Sequence, residues 1–142
     1  IETQCSATSL ALQVRNAVQR GIPTILEDIY YENPLKIDFQ KVIEACRQGD
    51  QLCLLELKSW INNLGGMLIN TVHAYAPELI ILSGGATLAA DLFINELKEI
   101  VNRQAFYYSK GKEIEVVVAD NQEFTGIIGA AAYVMKRLNV LD

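Results

Sequence analysis

The stretch Glu78-Leu79-Ile80-Ile81-Leu82-Ser83-Gly84-Gly85-Ala86-Thr87 places the tightest constraint on what this chain can fold into. Residues 79–82 form a continuous apolar run, which predicts a short strand covered on both faces. Gly84 and Gly85 allow a sharp turn and a close approach by another group. Thr87 is placed to N-cap the amphipathic segment that follows. Ligands of open α/β sheets gather beyond the carboxyl end of a strand, where a helix N-terminus favours anions. The pattern therefore admits two readings, a plain tight turn or an anion site.

The rest of the chain narrows the choice. Its 142 residues are enough for one domain with a real core. Half of them are apolar and a fifth are charged, the balance of an ordinary globular protein, which sets aside disorder. A net charge of −5 argues against this segment gripping nucleic acid, since phosphate contacts need clustered Lys and Arg. No apolar run is long enough to span a membrane, and no secretory signal opens the chain, so the cytoplasm is the expected compartment and no membrane partner is expected. Cys5, Cys46 and Cys53 show no metal-ligand spacing, and an odd count suits structural thiols in a reducing compartment. His73, the single histidine, sits in a helical pattern and reads as a core or helix-surface residue. The chain opens on Ile1 and enters a helix almost at once, as expected of a piece cut from a longer protein.

Helical periodicity fills most of the sequence. Ser6 caps a predicted helix over about residues 7–20, with Leu10, Val14 and Val18 on one stripe. Residues 22–37 lack periodicity and read as a connector. Asp38 caps a helix to about Arg47, with Phe39, Val42, Ile43 and Cys46 inward. Asp50 opens the longest helix, about 51–75, whose stripe runs Leu54, Leu57, Ile61, Leu64, Leu68, Val72 and Tyr75. Gly65-Gly66 in its middle costs roughly 1 kcal/mol per glycine against alanine, which predicts a close approach by another backbone. After the glycine turn a helix of about 88–105 is predicted, with Leu88, Leu92, Phe93, Leu97, Ile100 and Val101 inward. Lys110-Gly111-Lys112 reads as a turn and 113–119 as a second strand, parallel to the first. A last helix, about 124–138, presents Gly126, Gly129 and Ala130-Ala131-Ala132 as a small-residue packing face. Two strands make a marginal sheet alone, so further strands are expected from the rest of a longer protein.

This order of features resembles the ROK family, which groups sugar kinases with sugar-responsive transcriptional repressors. Ile1-Glu2-Thr3-Gln4-Cys5-Ser6-Ala7 is similar to the tail of the family signature in which Gly-Cys-x-Glu precedes a helix start. Gly49-Asp50, the long helix with Leu64-Gly65, and Ala76-Pro77-Glu78 through Gly84-Gly85 resemble the family run ending in Pro-Glu, a strand and a glycine pair. Gly126-Ile127-Ile128-Gly129-Ala130-Ala131 is similar to its closing helix. The resemblance implies an α/β chain, helix-rich with a short parallel sheet. It would be the C-terminal subdomain of an actin-like ATPase (ribonuclease H-like) fold, with residues 1–142 as one such fragment. By the same resemblance, Glu2 corresponds to a glutamate that hydrogen-bonds sugar hydroxyls. Gly84 and Gly85 correspond to the pair that lies against the adenosine of ATP in the kinases. Ala86 stands where a third glycine is common.

The resemblance places the phosphate loop, the catalytic aspartate and the ligands of a structural zinc upstream, so none of the three cysteines is assigned to zinc. The expected function is the effector-binding and dimerisation portion of a sugar-responsive regulator, with DNA reached only through an upstream module. The alternative is the C-terminal half of a sugar kinase using Mg-ATP, and a third reading is an inactive scaffold. The expected partners are a sugar or sugar-phosphate effector and a second copy of the protein. For residues 1–142 alone, no catalysis, metal or cofactor is expected.

Overall fold

The helix starts follow from side chains that accept backbone N–H groups. A computed structural model describes residues 2–106, 113–120 and 125–138. A short α1 (Glu2–Cys5) leads into α2 (Ala7–Gln19), where Ser6 Oγ accepts from Ser9 N–H at 3.0 Å. The segment 22–37 is not a plain connector. It holds α3 (Glu27–Glu32) and a 3-10 turn at Pro34–Lys36. Six residues are too few to show a 3.6-residue period, which hid α3 in the sequence. Asp38 caps α4 (Phe39–Arg47), accepting from Lys41 N–H at 2.9 Å. Asp50 caps α5 (Gln51–Tyr75), accepting from Cys53 N–H at 2.8 Å. Ala76, in the left-handed region at φ 46°, ends α5 just ahead of Pro77.

Asp50 does more than cap. Its second carboxylate oxygen accepts from the Thr24 hydroxyl and from Ile25 N–H, both at 2.9 Å. The segment after α2 is thereby tied to the start of α5, and the carboxylate is buried. Burial pushes the Asp50 carboxyl up, but the N–H groups of Cys53 and Ile25, the Cys53 thiol and the Thr24 hydroxyl together outweigh it, so its pKa lies below the ordinary value.

Trp60 occupies the centre of the core. Its indole N–H donates to the Ser6 carbonyl at 3.0 Å, and its ring packs edge-on to Phe93 at 5.3 Å and obliquely to Phe39 at 6.3 Å. The inward stripe of α5 is therefore shifted from the one expected: Leu52, Cys53 and Trp60 are buried with Leu57, Ile61, Leu64, Leu68 and Val72, whereas Leu54 and Tyr75 are exposed.

β1 (Leu79–Leu82) follows α5. A 3-10 segment (Gly85–Leu92) and α6 (Ile94–Gln104) replace the single helix expected over 88–105, with the chain bent at Ala89 and Phe93. Leu88 is exposed as a result, while Phe93, Leu97, Ile100 and Val101 are buried. β2 (Glu115–Val118) pairs parallel to β1, with Leu79 opposite Glu115 and Leu82 opposite Val118. β1 is not covered on both faces. Leu79 and Ile81 are 45% and 59% exposed, while Ile80 and Leu82 face the core. The Asn102 side chain donates to the Ile114 carbonyl at 3.1 Å and accepts from Ile114 N–H at 2.8 Å, as a neighbouring strand would. The turn expected at Lys110-Gly111-Lys112 lies outside the described residues.

α5 and α6 pack closely where Gly65 removes a side chain. A Cβ there would lie 2.6 Å from Ile100 Cγ2, so the close neighbour is a side chain rather than another backbone, and Gly66 has nothing within 4 Å. α7 (Thr125–Arg137) does not pack its small residues: Gly126, Gly129 and Ala130 to Ala132 are exposed.

These contacts set two stability expectations. Gly65→Ala should destabilise by about 1–3 kcal/mol through overpacking, while Gly66→Ala should stabilise by about 0.5–1 kcal/mol; urea titration of both variants checks the contrast. Asp50→Ala should cost about 1–3 kcal/mol, because it removes a cap and leaves Thr24 and Ile25 donors unpaired. A carboxyl lowered in the folded state stabilises above its unfolded value, near 4, and that contribution is lost as pH falls through the folded value. Urea midpoints measured across acid pH should therefore drop steeply in the parent sequence and less steeply in Asp50→Ala.

Candidate functional site

At the end of β1 the chain turns on Gly84, whose φ of 105° and ψ of 172° belong to glycine alone. Thr87 does not act as an N-cap. Its N–H and its hydroxyl both donate to the Gly84 carbonyl, at 3.0 and 2.6 Å, and its side chain is buried. The turn is closed on itself. Its helical continuation is a 3-10 segment whose first bond engages Thr87 N–H, leaving the N–H groups of Gly85 and Ala86 as the first-turn donors without an intrahelical partner. An adventitious-looking glycine turn thus becomes a rigid support for the wall beside it.

That wall faces α4. Gly85, Leu88 and Ala89 line one side of a slot of about 270 Å3, and Phe39, Gln40, Ile43 and Arg47 line the other. A Cβ at Gly85 would meet no atom within 4 Å. The surfaces are mostly apolar, with Gln40 and Arg47 supplying the hydrogen-bonding groups. The Arg47 guanidinium holds both oxygens of Asp91, at 3.0 and 3.2 Å, and so ties α4 to the 3-10 segment that carries the opposite wall. Its lining suits a largely apolar group that also carries hydrogen-bonding atoms.

The structure places the three residues singled out from the sequence on two different elements. Gly84 and Gly85 form the turn and one lip of the slot. Glu2 lies exposed in the single turn of α1, which packs against α2 and α5 rather than beside the slot. In the sequence Phe39 and Ile43 fall on the inward stripe of a helix and Arg47 at its end, and no signal there marks them as slot residues. Arg47 and Asp91 are 44 positions apart, and their pairing follows from tertiary packing.

The remaining candidates are structural. Cys46 and Cys53 are free and buried. Burial, with Asp50 nearby, pushes the Cys46 thiol up to about 11, and burial with a hydrogen bond to Asp50 pushes Cys53 higher still. Such thiols stay protonated and unreactive when no ligand is bound. His73 Nε2 accepts from Phe106 N–H at 2.8 Å and secures the chain leaving α6. Among the described residues no group of three His, Cys, Asp or Glu side chains could hold a metal, and no helix is long and apolar enough to cross a membrane.

The model of the ROK family matches residues 1–137. The chain is 23% identical over 137 residues to a xylose repressor of Caldicellulosiruptor bescii, covering 95% of this chain and 33% of that protein. It is 27% identical over 135 residues to a glucokinase of Thermotoga maritima, covering 93% of this chain and 42% of that protein. In fold it is similar to a ROK family glucokinase from Streptomyces griseus solved with glucose and AMPPNP, with a TM-score of 0.76, 20% identity, and coverage of 93% of this chain and 43% of that one. The chain thus spans less than half the length of the relatives it matches. The shared architecture is the actin-like ATPase fold, here helix-rich with a short two-stranded parallel sheet.

The two glycines of the turn should respond differently to substitution. Gly84→Ala forces a side chain into a strained backbone region and should cost about 1–3 kcal/mol. Gly85→Ala should leave thermal stability within about 0.5 kcal/mol while narrowing the slot. Thermal melts of the two variants, followed by the emission of Trp60, check the difference.

Proposed function

Because the chain belongs to the ROK family, we propose that it forms the effector-binding and dimerisation portion of a sugar-responsive ROK-type transcriptional regulator. It would be the C-terminal subdomain of the actin-like body. The observation that carries this reading is the closed turn. Ala86 stands where a third glycine is common in the kinases, and both Thr87 donors close onto Gly84, leaving a geometry suited to holding a strand and helix together. The similarity to a xylose repressor over 95% of the chain agrees with this reading, and that to a glucokinase over 93% agrees equally with the kinase.

In this function Glu2 takes part in sugar recognition. A carboxylate has two acceptor oxygens and can engage two neighbouring hydroxyls, which discriminates between stereoisomers. The effector would act by binding one state of a dimer more tightly than the other and shifting the population between them. DNA would be held by a separate basic module, because this chain carries a net charge of −5. Exposed Leu12, Leu55, Ile127 and Tyr133 supply apolar surface for self-association.

The slot beside Gly85 favours a second reading, the C-terminal half of an ATP-dependent sugar kinase. Gly85, Phe39, Ile43, Leu88 and Ala89 would hold the adenosine part of the nucleotide, and Mg-ATP would supply the phosphoryl group when bound. The residues present fit the nucleoside. The aspartate that accepts the proton of the sugar hydroxyl is expected upstream.

The parent protein separates the two. A regulator should carry a basic helix-turn-helix ahead of the fold and no Asp-x-Gly-x-Thr loop, and should release operator DNA when sugar is added, as read by fluorescence anisotropy. Clear sugar-dependent ATP turnover in a coupled assay would overturn the regulator reading and establish the kinase.

A further inference from the structure

α5 and α6 run side by side in the same direction: Lys58 meets Glu96, Gly65 meets Ile100, and His73 meets Phe106 just beyond α6. Lys58 and Asn62 stand one helical turn apart on α5, opposite Glu96, Glu99, Ile100 and Arg103 on α6. Together they line a groove of about 460 Å3, which shares no residue with the slot or with α1. Ile100, buried where it packs on Gly65, supplies its apolar surface. The charges of Lys58 and Arg103 balance those of Glu96 and Glu99, so the lining is polarised without being net positive or negative. The Lys58 ammonium donates to the Glu96 carboxylate and satisfies that pair. Glu99, Arg103 and Asn62 have no hydrogen-bond or ionic partner for their side chains among the described residues.

We infer that this groove binds a small zwitterion, a free α-amino acid or a dipeptide. Arg103 offers a planar fork of N–H donors that a carboxylate meets with both oxygens. Glu99, ionised, accepts from an ammonium. The two side chains are i,i+4 neighbours, with about 5–6 Å between their Cβ atoms, a span that the two ends of such a ligand can bridge. Asn62, across the groove on α5, can donate to the carboxylate or accept from the ammonium. A lone anion would sit among the carboxylates of Glu96 and Glu99, and a lone cation beside Lys58 and Arg103. A ligand carrying both charges finds an opposite charge at each end. Ile100 gives its aliphatic part a surface to lie against, and the volume falls in the range of small-molecule sites. The inference is independent of the regulator and kinase readings, since neither uses these residues.

The test uses the full chain, isotopically labelled, with L-alanine and L-alanyl-L-alanine as zwitterionic probes and acetate and methylammonium as their separate halves. The Asn62 side-chain amide and Arg103 Nε–H signals should shift at millimolar zwitterion, and each half alone should bind about tenfold more weakly. Whichever zwitterion binds tighter fixes the length of ligand the groove takes. Glu99→Gln and Arg103→Gln should each weaken binding about tenfold, with unfolding curves unchanged because both side chains are exposed. Binding should also fade as sodium chloride is raised, since exposed charges are screened. Signals unmoved by both zwitterions would overturn the inference. So would acetate or methylammonium binding as tightly as alanine, which would make the groove a plain ion-pairing surface. Variants that keep the parent affinity would overturn it as well, by placing the ligand elsewhere.

Discussion

A buried carboxylate cannot be left without partners, and Asp50 shows how much structure that requirement organises. One oxygen terminates the N-terminal end of a 25-residue helix, and the other reaches back across 26 positions to Thr24 and the backbone of Ile25. Desolvating the charge is unfavourable, so its donors must arrive together. That couples the exit from α2 to the start of α5, and α4 is enclosed between them. The Trp60 indole then completes the arrangement from the opposite side, joining the Ser6 carbonyl at the head of α2 to the rings of Phe39 and Phe93. The slot inherits its rigidity from this core, since Phe39 is both a Trp60 neighbour and a slot wall.

The parts of the fold that were legible in the sequence are those governed by short-range chemistry. Ser6, Asp38 and Asp50 each accept an N–H three residues ahead, and that spacing is visible in the chain. The parallel pairing of the two strands follows from a helix lying between them. What the sequence obscured depends on distant partners. An all-apolar strand reads as covered on both faces, yet Leu79 and Ile81 are exposed. Thr87 reads as a cap, yet the positive φ of Gly84 turns its donors backward onto the turn. Trp60 fits the helical stripe no better than Leu54 does, and packing rather than period decides between them.

The candidate site was legible in a different way. Glu2, Gly84 and Gly85 came from a resemblance between ordered motifs, not from any property of the isolated residues. Their geometry adds physical content for the glycines, which support one lip of the slot, and places Glu2 on a separate element. The opposite wall, and the Arg47–Asp91 pair that ties the walls together, exist only once α4 and the 3-10 segment are brought side by side.

Asn102 has a consequence for the sheet as a whole. Glu115 N–H donates to the Glu78 carbonyl and Ala119 N–H to Leu82, so the odd-numbered residues of β2 face β1, and Ile114 turns its polar groups the other way. Asn102 occupies both of those groups, and a side chain thus stands in for a strand at the outer margin of β2. A strand added beyond β2 would meet the Asn102 side chain at Ile114, whereas one added beyond β1 would meet no such plug among the described residues.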